Sequence, residues 1–122
     1  MNQAVLSGLP LTQQSQVNIK IEVAAQINVS AFVARQKANR FLIMQVGDQF
    51  CAGEPALVVD AAMYWRVPAQ YAPSRLGVLG VLGHLLIDAN TGEITLADDK
   101  SIEDLQQGAE ALYERAALSA RA

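Results

Sequence analysis

The stretch GVLGVLGHLLI, Gly77 to Ile87, restricts the possible folds of this chain more than any other. It is a nearly unbroken apolar run of about 11 residues, whereas a helix that crosses a bilayer needs ~20. Read as a strand that continues to Asp88, it sends Leu79, Val81, Leu85 and Ile87 to one face and Val78, Leu82, His84 and Leu86 to the other. Both rows are largely apolar, so both sides of this strand call for cover.

The rest of the chain supplies candidates for that cover. Val17, Ile19, Ile21 and Val23 alternate with Asn18, Lys20 and Glu22, the pattern of a half-buried strand. Ser30 is placed to cap a helix running from about Ala31 to Val46, with a stripe of Ala34, Ala38, Phe41, Leu42 and Gln45. Gly47 is expected to end that helix in the left-handed conformation. Residues 48–55 read as a loop, Pro55–Asp60 as a short strand, and Met63–Tyr71 as an alternating strand whose Pro68 belongs at an edge or bulge. Ala72-Pro73-Ser74 is a turn signal. A last helix starts after Ser101, with Asp104 three residues on in a capping-box relationship and a stripe of Ile102, Leu105, Ala109, Leu112 and Ala116. Acids early and arginines late in this helix suit its dipole. The expected order is β-α-β-β-β-α, an α+β class with an antiparallel sheet of about four strands and the helices on one face. Residues 1–16 form an N-terminal arm and 17–122 a single domain.

Composition narrows the function classes. The net charge is −3, so the chain lacks the basic footprint of general nucleic-acid or acidic-membrane binding. Arg35, Lys37 and Arg40 do cluster in a stretch without acids from Ala31 to Gly47, which reads as the solvated face of a helix. Only 17% of residues are charged, against about 25% in typical domains, and this favours a buried interface. Cys51 is the single cysteine, so no intrachain disulfide forms. The start, MNQAVLSGLPLTQQ, has neither the basic nor the long apolar region of a signal peptide, and a cytoplasmic location is expected.

The segment DANTGEITLADD, 88–99, invites comparison with a calcium-binding loop. Such a loop needs oxygen ligands at its first, third and fifth positions, glycine at the sixth and a bidentate glutamate at the twelfth. Here the fifth position is Gly92 and the twelfth is Asp99, so a hairpin turn explains the residues better. GVLGVLG lacks the spacing of a dinucleotide loop. Cys51 and His84 would make a catalytic pair only if the fold brought them together. No catalytic residue, cofactor or metal site is expected.

The expectation that remains is an interface. Two helices cover one side of a small sheet, and the other side would then present Val78, Leu82, His84 and Leu86 beside Tyr64, Trp65 and Arg66. The alternative cover is the arm itself, through Val5, Leu6, Leu9 and Leu11.

The aromatic–Arg–Val run YWRVP (64–68) and the turn IDANTGEI (87–94) resemble the PepSY-type, cystatin-like plan over roughly Ala31 to Leu96. The resemblance implies a helix packed across an antiparallel sheet, and an inhibitory or regulatory module that binds a protein or peptide. It carries no catalytic residue. The chain departs from that plan by lacking a secretion signal, by a strand before the helix and by a helix after the sheet. The combination of AGEP, WRVP and DANTGEI also resembles small bacterial proteins, some of which accompany toxin-like nucleases. Three functions follow as expectations. The first is a non-catalytic cytosolic interaction domain, with a second copy or another protein as partner and neither membrane nor nucleic acid. The second is an antitoxin-like regulator whose arm or basic helix engages a toxin or DNA. The third is a ligand-binder or enzyme using Cys51 or His84.

Overall fold

A computed structural model describes residues 27–121 of the chain. The expected arm (1–16) and the expected strand at Val17–Val23 lie outside the described residues. The class is α+β: among the described residues, an open, five-stranded antiparallel sheet with two helices. In chain order these are α1 (Ala31–Phe41), β1 (Phe50–Ala52), β2 (Ala56–Val59), β3 (Met63–Tyr71), β4 (Gly80–Asp88), β5 (Ile94–Leu96) and α2 (Ile102–Arg121). No helix among the described residues is long and apolar enough to cross a membrane.

Helix α1 begins where Ser30 Oγ accepts the Val33 N–H at 3.2 Å. Ala34, Ala38 and Leu42 follow at helical spacing and are fully buried. The helix then widens into a single π turn, Leu42–Val46, closed by the Gly47 N–H donating to Leu42 O at 2.8 Å. Inserting that extra residue brings Val46 into the core and leaves Gln45 exposed, a correction to the expected stripe. Gly47 sits at φ 171°, an extended conformation, so a left-handed glycine does not end the helix.

The sheet is a meander around β3 and β4. Their register sets Tyr64 against Asp88, Arg66 against Leu86 and Pro68 against His84. On the far side of β3 lie two short strands in succession, β2 beside Met63–Arg66 and β1 beside Ala69–Tyr71. Strand β1 falls within the segment expected to be a loop. Pro68 faces the break between these two strands, where its missing N–H leaves no ladder bond to make, while its carbonyl accepts the Gly53 N–H at 2.9 Å. A proline is thus accommodated in an interior strand because its edge neighbour is interrupted.

Both helices pack on the same face. Their buried side chains share one core with Val67 and Ala69 of β3 and Leu85 and Ile87 of β4. Strand β4 begins at Gly80 rather than Gly77, and its two glycines admit α2. A Cβ at Gly83 would lie 2.9 Å from Leu105 Cδ2, and one at Gly80 would lie 3.2 Å from Leu112 Cδ1. Helix α2 opens with a reciprocal cap: the Ser101 N–H donates to Asp104 Oδ2 at 2.8 Å and the Asp104 N–H to Ser101 Oγ at 3.1 Å. The amide of Gln106 donates to Val46 O at 2.9 Å and so ties α2 to the end of the π turn.

The DANTGEI segment is a hairpin between β4 and β5. The Asp88 carboxylate accepts the N–H groups of Asn90 at 2.8 Å and Thr91 at 2.9 Å. The bond from Thr91, then that from Asn90, hold its pKa below the ordinary 3.8. Gly92 adopts φ +82°, and a Cβ there would lie 2.9 Å from Lys37 Cε. Gly92→Ala is therefore expected to destabilise the fold by about 1–2 kcal/mol, the usual cost of a side chain in the left-handed region. Urea denaturation checks this; an unchanged midpoint would contradict the assigned turn.

Candidate interaction surface

The candidate surface is the sheet face turned away from both helices. Alternation along β3 puts Tyr64, Arg66, Pro68 and Gln70 on it, since Val67, Ala69 and Tyr71 are buried on the other. The register adds His84 and Leu86 from β4, Val58 from β2 and Thr95 from β5. Tyr64, Arg66, His84 and Leu86 are half-buried and lie on two adjacent strands.

Of the expected interface residues, these four come together and three do not. Trp65 faces the helices, and its indole N–H donates to Val29 O at 2.7 Å. Leu82 packs on α2, where a Cβ at Gly108 would lie 2.9 Å from its Cδ2. Val78 lies in the exposed approach to β4. The cause at Leu82 is a bulge: Ala69 pairs with Gly83, but Gln70 pairs with Val81. One unpaired residue reverses the alternation before it. Val81 therefore moves to the open face, 49% exposed, where strict alternation had placed it under the helices. The bulge leaves a weak signal in the sequence, the glycine at position 83.

Electrostatically the face is mixed. Arg66 Nη2 lies 4.0 Å from Asp98 Oδ2, a loose pair with both groups substantially exposed. The pKa of His84 is lowered from 6.5, first by burial and then by the Arg66 charge, with Asp98 acting in the opposite sense. Cys51 is on the same face, its thiol donating to Gln70 Oε1 at 3.6 Å. Cys51 pairs with Gln70 on one side of β3 and His84 with Pro68 on the other, so two strand spacings across and two residues along the sheet put them about 12 Å apart. The fold does not bring them together as nucleophile and base. Among the described residues no three of His, Cys, Asp and Glu group as metal ligands. Asp88 and Asp104 are committed to backbone N–H groups, and the bond from Ser101 leads in holding Asp104 below 3.8.

Comparison with protein-family models, curated proteins and solved structures finds no match to this chain.

The lowered His84 value has a definite sign in stability. The folded protein takes up this proton less readily than the unfolded chain, whose histidine titrates at 6.5. The contribution is complete above pH 6.5 and is lost as the pH falls through the folded value. His84 is the only histidine, so thermal denaturation should show a downward slope on acidification below 6.5 that His84→Gln flattens. A slope of equal size in both proteins would assign it to another group.

Proposed function

We propose that the chain is a non-catalytic protein-interaction domain that binds a second copy of itself through the open sheet face. The observation that carries this reading is the set of Tyr64, Arg66, His84 and Leu86 in register on a face that no described helix covers. Tyrosine and arginine are frequent anchors of protein interfaces. Val58, Pro68 and Val81 widen the apolar part of the patch. A second copy suits the charges: the patch holds both a cation, Arg66, and an acid, Asp98, so a two-fold arrangement sets each against its opposite. The low charged fraction of the chain agrees with a surface that is partly removed from water.

Strand β2 offers a competing route to association. Among the described strands it is an edge, with the apolar sequence ALVV, and Val59 is 56% exposed. By contrast, the neighbouring edge at β1 is occupied: Asn39 Oδ1 accepts the Ala52 N–H at 2.7 Å, and Arg35 Nε donates to Ala52 O at 3.1 Å. Two substitutions separate the routes. Light scattering is expected to give twice the 13.1 kDa chain mass for the wild type, one chain mass for Leu86→Asp, and an unchanged dimer for Val59→Lys. A wild type that stays at one chain mass, or a dimer broken only by Val59→Lys, would overturn the proposal.

A further inference from the structure

A cleft of about 370 Å³ opens between the C-terminal part of α1, its π turn and β5, lined by Lys37, Arg40, Phe41, Met44, Gln45 and Ile94. It lies on the helix side of the molecule, apart from the open sheet face, and within the size range of small-molecule sites. Its wall is apolar: Phe41 and Ile94 are half-buried against the core, while Met44 is 66% exposed. Its rim is cationic and, at Gln45, a neutral hydrogen-bonding amide. The chain as a whole carries −3, so two cations beside one apolar wall are a local excess.

Neither cation is neutralised within the described residues. Their ion pairs are Arg35–Glu54 at 3.1 Å and Arg66–Asp98 at 4.0 Å, and these leave Lys37 and Arg40 out. The end of the Lys37 side chain lies over Gly92, where a Cβ would come within 2.9 Å of its Cε. The π turn matters here as well. By widening the last turn of the helix it sets Met44 and Gln45 beside Phe41 on the side that faces Ile94.

We propose that this cleft binds a small amphipathic anion, with its carboxylate or phosphate head on Lys37 and Arg40 and its apolar body against Phe41, Met44 and Ile94. The charges select the head, because an ammonium would be repelled and a neutral amide would forgo the charge-assisted bonds. The apolar wall selects the body over a bare inorganic ion.

The test is titration of the full chain, followed by proton–nitrogen NMR, with 3-phenylpropionate, its amide, the matching 3-phenylpropylamine and phenyl phosphate. Saturable movement of the resonances of residues 37–45 and 92–94 is expected with the two anions, the better binder identifying the preferred head. The amide should bind at least about tenfold more weakly, and the amine should give no saturable movement. Lys37→Gln with Arg40→Gln, and separately Met44→Glu, alter exposed or half-exposed positions and should weaken binding by about tenfold or more in folded protein. The proposal is overturned if no probe saturates, if the amine matches the anions, if the shifts fall elsewhere, or if both variants bind as the wild type does.

Discussion

The one-sided burial of β3 and β4 is the constraint on which the rest of the structure depends. Val67, Leu85 and Ile87 are fully shielded, and the shielding comes from small residues on α1 and from leucines on α2. Ala34 and Ala38 let α1 lie close over β3. Gly80 and Gly83 leave room on β4 for Leu112 and Leu105 of α2. The two helices meet where Gln106 bonds the carbonyl of Val46, so the end of the π turn is fixed by the same packing. With both helices used on one face, no described helix covers the opposite face of the meander, and the edge of α1 beside β5 is left as a cleft.

Much of this architecture can be read from residue pattern. The Ser101–Asp104 cap, the stripe of α2, the Asp88–Gly92 turn and the alternation of Met63–Tyr71 are local signals, and each is realised within a few residues of where it is written. What escapes the pattern is longer in range. Strand β1 is only Phe50–Ala52, and its partner is Ala69–Tyr71, so nothing nearby in sequence marks it. Pro68 suggests an edge or a bulge when read alone; in the structure the neighbouring strand is broken beside it, and the register shifts just after it, between Ala69 and Gln70.

The surface divides in the same way. Tyr64, Arg66, His84 and Leu86 follow from period-two alternation and the hairpin register. Leu82 does not, because a one-residue bulge reverses its direction, and Trp65 does not, because it belongs to the buried row. The cleft was visible only as an acid-free run containing Lys37 and Arg40. Its other wall, Ile94, is more than fifty residues away and is brought there by the hairpin.

The central claim is that the open sheet face joins two copies of this chain. It is tested most directly by NMR cross-saturation between a methyl-labelled copy and an unlabelled, protonated copy in a mixed sample. Attenuation is expected at the methyl groups of Val58, Val81 and Leu86, and none at those of Leu57 and Val59. Attenuation confined to Leu57 and Val59 would place the contact on the β2 edge and rule out the open face as the site of dimerisation. An absence of attenuation at every methyl group would contradict self-association itself.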